Sequence, residues 1–137
     1  MIILLVGNYL PDRQRSMQRF ATMLRDGLGE SGHELRVIRP RPRYGRSKKF
    51  GPGARKWLAY GDKYFVLPAT LRRAVQWADV VHICDHSNAM YIAHLRGKPH
   101  VVTCHDLLAV RGALGEDTDC PATFTGKILQ RWILRSL

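Results

Sequence analysis

Apolar residues along this chain fall into short groups whose spacing alternates between that of strands and that of helices. Ile2–Val6 is an unbroken apolar run closed by Gly7, the pattern of a strand covered on both faces, as in a parallel sheet. After a polar loop, Ser16 is placed to cap a helix in which Met17, Phe20, Ala21, Leu24 and Leu28 recur at helical spacing, with Gly29 and Gly32 as stop signals. Residues 35–39 alternate apolar and polar and predict a second strand that Pro40 ends. Strand, helix, strand in this order predicts a right-handed βαβ unit.

Further along, Trp57, Tyr60, Tyr64 and Leu67 suit a helix interrupted at Gly61, and Pro68 suits the first turn of another whose Leu71, Ala74, Val75 and Ala78 face inward. Residues 80–84 predict a third strand. Ser87 is placed to cap a helix through Met90, Ile92, Ala93 and Leu95, closed by Gly97 and Pro99, before a fourth strand over residues 100–104. Residues 107–124 read as a long loop with a helical turn, and residues 127–137 as a helix with Ile128, Leu129, Trp132 and Ile133 on its apolar stripe. Alternating strands and helices specify an α/β fold with a Rossmann-like, doubly wound parallel sheet, and 137 residues fit one such domain.

Composition narrows the function. The chain has 22 Lys and Arg against 11 Asp and Glu, a formal charge of +11, which favours an anionic partner such as nucleic acid, lipid headgroups or a phosphorylated substrate. Arg36, Arg39, Arg41, Arg43, Arg46, Lys48, Lys49, Arg55 and Lys56 fall in one Pro- and Gly-rich segment without an acidic residue between them. No recognition helix, zinc finger or RNA-binding aromatic motif accompanies them, so a nucleic-acid partner is not expected. Three cysteines without CxxC spacing suggest reduced thiols, and no run approaches the ~20 apolar residues of a membrane span, so a cytoplasmic protein is expected.

Ligands of open parallel sheets bind beyond the carboxyl ends of the strands, where strand order reverses. Gly7 and Asn8 follow the first strand, Asp85, His86, Ser87 and Asn88 the third, and His105 and Asp106 the fourth. In the usual doubly wound order these ends share one crevice, where imidazoles can donate hydrogen bonds or move protons. Each residue alone can equally cap a helix or satisfy nearby backbone; the meeting of three strand ends favours a site for a polar ligand. Cys84, His86, Cys104 and His105 are zinc-type ligands, yet neighbours on a strand point to opposite faces, so no metal is expected. Gly7 is not part of a GxGxxG turn, which weakens a dinucleotide reading.

Gly32-His33-Glu34-Leu35 entering the second strand, Asp79-Val80-Val81-His82 entering the third, and Val101-Val102-Thr103-Cys104-His105-Asp106 resemble the N-terminal domain of retaining family-4-type (group 1) glycosyltransferases of the GT-B fold. The similarity runs from Met1 to Leu137. It implies the N-terminal half of a GT-B fold, in which the acceptor binds mainly to this domain and the sugar nucleotide mainly to a second Rossmann-like domain. By the same resemblance His105 and Asp106 occupy the reacting centre, and Gly7, Asn8, Asp85, His86, Ser87 and Asn88 shape the acceptor pocket. Many relatives carry a Gly-Gly pair after the first strand, close to the donor diphosphate. Here that loop has none, and Arg13 and Arg15 stand as cations for the phosphates instead.

The resemblance therefore implies transfer of a sugar from a nucleotide-sugar donor to an acceptor hydroxyl, with retention and without a cofactor or metal. Residues 1–137 are expected to be an incomplete, acceptor-side domain, truncated before the donor-binding domain and inactive alone. The basic segment suggests peripheral contact with an anionic membrane at its inner face and a lipid-linked acceptor. A reading of another class stays open beside it: a non-catalytic nucleotide-binding or regulatory α/β module.

Overall fold

The computed structural model describes residues 1–12, 14–43, 51–120 and 122–137. Strands β1 (Ile2–Val6), β2 (Glu34–Ile38), β3 (Val80–Ile83) and β4 (His100–Val102) form one sheet in the order β2-β1-β3-β4. All three pairings are parallel. The helices are α1 (Arg15–Glu30), α2 (Pro52–Gly61), α3 (Leu67–Ala74), α4 (Leu108–Leu114) and α5 (Phe124–Ser136), with a 3-10 helix over His86–His94 between β3 and β4. This is the doubly wound α/β sheet that the sequence predicts, with the order reversing between β1 and β3.

Alternation along β1 builds both layers. Ile3 and Leu5 face α1, packing with Ala21, Phe20, Leu24 and Leu28, while Leu4 and Val6 face Leu67, Leu71 and Val75 of the helix after α2. Each fully buried Leu or Val contributes roughly 1.5–3 kcal/mol through removal from water. Cys84 sits in the α1 layer as a small apolar residue, and burial above all pushes its thiol up to about 11. α1 stops at Gly32, whose φ of +80° lets the His33 amide return to the Leu28 carbonyl at 3.2 Å.

Several boundaries differ from the sequence expectation. Gln14, not Ser16, precedes α1, and Asp85, not Ser87, caps the 3-10 helix by accepting from the Ser87 amide. Strands β3 and β4 end one and two residues early, although the Cys84 and Thr103 amides still donate to the Val6 and Ile83 carbonyls of the neighbouring strands at 3.0 and 2.9 Å. α4 spans seven residues where a single helical turn is expected, and α5 starts at Phe124 because the Thr123 hydroxyl accepts from the Gly126 amide. Of the α5 stripe, Ile133 is buried, whereas Ile128 and Trp132 remain exposed.

The largest difference lies just before Pro68. α2 ends at Gly61 and α3 carries Pro68 in its first turn, as the sequence predicts, but the two are joined by a π-helical turn over Asp62–Val66 instead of a break. Pro68 has no N–H to give Tyr64, and its ring would press on that carbonyl in a regular α-helix. Widening the turn relieves the clash, and the Leu67 amide bonds to the Asp62 carbonyl instead. No helix of the described residues is long and apolar enough to cross a membrane.

Candidate functional site

Asn8 leaves β1 where the strand order reverses, and Asp85 leaves β3 beside it. Both are nearly inaccessible, at 5% and 4% exposure. The Asn8 side-chain amide donates to Asp85 Oδ2 at 2.5 Å and to Gln14 Oε1 at 2.6 Å, while Asn8 Oδ1 accepts from the Asn88 side-chain amide at 3.1 Å. The other Asp85 oxygen accepts from the Ser87 amide at 2.9 Å. Asn8 thus has both amide hydrogens and its oxygen engaged, which fixes its orientation. Gly7 belongs to the same junction, its amide donating to the Ile38 carbonyl at 2.9 Å.

His86 is buried next to this network. Its Nδ1 lies 3.3 Å from Asp85 Oδ1 and, among the described residues, has no partner in hydrogen-bond geometry. Buried polar atoms are rarely left so, and the carboxylate of Asp85 is the group that faces this nitrogen.

His105 is held apart from the cluster by one peptide. Its Nε2 contacts the Cys84 carbonyl oxygen at 2.9 Å, and the Phe20 ring meets it edge to face at 4.7 Å between centroids. A carbonyl only accepts, so Nε2 carries hydrogen and Nδ1 is the ring's remaining polar atom. Asp106 is exposed, and its Oδ1 accepts from the Leu108 amide at 3.1 Å, heading α4. The structure therefore brings Asn8, Asp85, His86, Ser87 and Asn88 together and sets His105 beside them. Arg15 opens α1 and is exposed, and Arg13 lies outside the described residues.

Four residues of this region carry no local sequence signal. Gln14 joins the network across six positions of loop. Arg39, grouped by sequence with the basic segment, lays its guanidinium over Gly7, with atoms 3.7–3.9 Å from where a Gly7 Cβ would stand. Its charge also opposes the rise of the Cys84 thiol, which places a cation at the crevice. Tyr9 is buried and its hydroxyl donates to Asp62 Oδ2 at 3.3 Å. Burial first, and Asp62 next, push that phenol up to about 12. Asp62 is wholly buried on the π turn and also accepts from the Arg43 amide at 3.1 Å. Of the basic segment, Arg46, Lys48 and Lys49 lie outside the described residues, as do the side chains of Arg55 and Lys56.

A concavity lies at the far end of the same 3-10 helix. α2, the π turn, the far end of the 3-10 helix and α5 enclose a groove of about 890 Å³, walled by Trp57, Tyr60, Tyr64, Met90 and Trp132. Lys63 pairs with Asp12 at 2.5 Å, and its ammonium lies 5.1 Å from the Tyr9 ring centre and 5.9 Å from that of Tyr60.

Searches of curated proteins and of solved structures found no match. A family model does match: the glycosyl transferase 4-like domain, over residues 16–137, which takes in α1 from its second residue, every later helix and strands β2 to β4. With a parallel sheet whose polar residues gather at the reversal of strand order, the chain belongs to the glycosyl transferase 4-like domain family, and its chemistry is glycosyl transfer.

Proposed function

We propose that this chain supplies the acceptor side of a retaining glycosyl transfer, in which a sugar passes from a nucleotide donor to an acceptor hydroxyl without a metal or cofactor. The observation that carries the reading is the buried Asn8–Asp85–Asn88 network at the strand reversal, with His86 beside it. Such a constellation is preorganised for a polar, hydroxyl-bearing ligand: little side-chain freedom is left to lose on binding.

In this reading the bond from the anomeric carbon to the diphosphate breaks, and one to the acceptor oxygen forms. His86, with Asp85 behind its Nδ1, is the imidazole placed to hold the acceptor hydroxyl and its proton. His105 offers Nδ1 toward the donor sugar while Nε2 anchors the ring, and Asp106 completes that corner at the head of α4. Gly7 and Ser87 contribute backbone and hydroxyl to the acceptor wall. Arg13 and Arg15, near the amino end of α1, together with Arg39, favour the donor phosphates. A second Rossmann-like domain binds the nucleotide, and the work takes place at the cytoplasmic face.

The test is sugar transfer with radiolabelled UDP-, GDP- and ADP-sugars to cell lipid and glycan extracts, with product anomers read by NMR. Asn8→Ala is expected to abolish transfer in the presence of a donor-binding domain. Transfer indifferent to Asn8→Ala, an inverted product, or turnover of donor by the 137-residue chain alone each contradicts the proposal.

A further inference from the structure

We infer that the aromatic groove beside the crevice binds the hydrocarbon chain of a lipid-linked, anionic acceptor. This names the substrate class of the same site and rests on the acceptor-side reading above.

The first support is continuity. The 3-10 helix His86–His94 starts in the polar crevice with His86 and Asn88 and ends in the groove with Met90, Tyr91 and His94. One helix thus joins the polar network to the groove, and an acceptor with its head at the network and its tail in the groove would follow it.

The second is the chemistry of the walls. Trp57, Tyr60, Tyr64 and Trp132 form a continuous row, with successive ring centres 5.7, 5.9 and 5.6 Å apart. About 890 Å³ of concave, mostly apolar space falls within the size of ligand sites. The rim is apolar as well, with Phe65 80% and Trp57 72% exposed. An apolar surface of this extent in water marks a ligand or interaction site.

The third is charge. On α5, Phe124, Ile128 and Trp132 form an exposed apolar stripe, and Lys127, Arg131 and Arg135 form an exposed stripe next to it. No acidic residue lies between residues 122 and 137 to offset them. Lys63, beside Tyr9 and Tyr60, is paired with Asp12, so the basic stripe of α5 supplies the charge. Apolar and basic stripes side by side match an amphiphile with a negative head; a neutral sugar acceptor would use neither.

Tryptophan emission tests this directly, because Trp57 and Trp132 wall the groove while Trp77 lies elsewhere, under the Arg36 guanidinium. In the full chain carrying Trp77→Phe, emission is titrated with dodecyl phosphate and hexyl phosphate below their micellar concentrations, with inorganic phosphate as control. A blue shift is expected, with dodecyl phosphate binding at least about a hundredfold tighter than hexyl phosphate, since each buried methylene is worth roughly fourfold. Ile128→Glu, at a position 57% exposed and so harmless to the core, is expected to weaken dodecyl phosphate at least tenfold; Phe65→Glu is a second, independent rim variant. Equal affinity for both chain lengths, or full binding by both variants, overturns the inference. So does binding to phosphatidylglycerol vesicles without binding to monomeric alkyl phosphate, which would make the face an interfacial surface. A dimer that dodecyl phosphate leaves intact and Ile128→Glu dissociates overturns it too, the occupant then being a second copy. None of these readouts requires sugar transfer, so the groove can fail while transfer to a water-soluble acceptor survives, and the reverse.

Discussion

Replacing His105 by alanine separates anchoring from catalysis. The imidazole donates to the Cys84 carbonyl at 2.9 Å and lies edge to face with Phe20. Loss of the hydrogen bond costs about 1 kcal/mol net, and loss of the aromatic pair about another 0.5–1.5 kcal/mol. His105→Ala should therefore destabilise the domain by about 2 kcal/mol, lowering Tm by roughly 5–8 °C for a chain of this size. His105→Gln restores a donor to the carbonyl without the ring contact, so about half of that loss should return. Turnover should behave differently. If Nδ1 holds the donor sugar in the transition state, both variants should lose about a hundredfold in kcat or more, roughly 3 kcal/mol of barrier. The assay pairs scanning calorimetry of each purified variant with sugar transfer per folded molecule in the assembled transferase. Turnover of His105→Ala within threefold of wild type would remove His105 from the reacting centre and leave it as a loop anchor.

Three other outcomes follow from packing and protonation. Gly112 is the one place in α4 where a side chain cannot enter, since an added Cβ would strike the Cys120 carbonyl oxygen and stand 2.7 Å from Thr118 Oγ1; Gly112→Ala should cost about 1–3 kcal/mol in urea unfolding, and a neutral or stabilising result would show that the 116–120 segment yields. Cys84, buried and with its thiol pushed up to about 11, should resist a thiol reagent at pH 8 until the protein unfolds, whereas the exposed Cys104 and Cys120 react at once; three fast thiols would contradict the packing of the α1 layer. Burial lowers the folded-state pKa of His82, so the unfolded chain takes up that proton more readily and stability should fall as pH drops below about 6.5; thermal melts from pH 7.5 to 5.5 should show the slope, and His82→Gln should flatten it.

What could be read in the sequence follows from how local each cause is. β1 is fixed by an unbroken apolar run and a glycine, and its bounds match at both ends. Asn8, Asp85, His86 and Asn88 directly follow strands, so the rule that ligands bind at carboxyl ends locates them without coordinates. The sequence predicts a helix after β3 without fixing its type: the 3-10 form buries His86, Asn88, Ala89, Met90 and Tyr91, and a helix covered on most sides shows no clear period. Gln14, Arg39 and Tyr9 were out of reach for another reason. Their roles depend on which loop folds over which strand end, information held in contacts between distant residues such as Asn8 with Gln14 or Tyr9 with Asp62.

The π turn shows how one such distant cause links the whole region. Pro68 widens the helix at Asp62–Val66, and that extra residue in the turn alters which side chains upstream face the protein. Asp62 thereby points inward to Tyr9 and to the backbone of Arg43, while Lys63 reaches Asp12, so the loop after β1 is tied to the helix at Tyr9 and at Asp12. Asn8 lies immediately before that tether and is held from the other side by Asp85 and Asn88. Tyr60 and Tyr64, two residues either side of Asp62, wall the groove. The same local distortion thus sets the loop that presents Asn8 and the aromatic row beside it, so a tail seated against Tyr60 and Tyr64 and a head seated at Asn88 would both bear on one element. In the proposed reading, an acceptor that used both would be positioned by this π turn through its tether to the loop that presents Asn8.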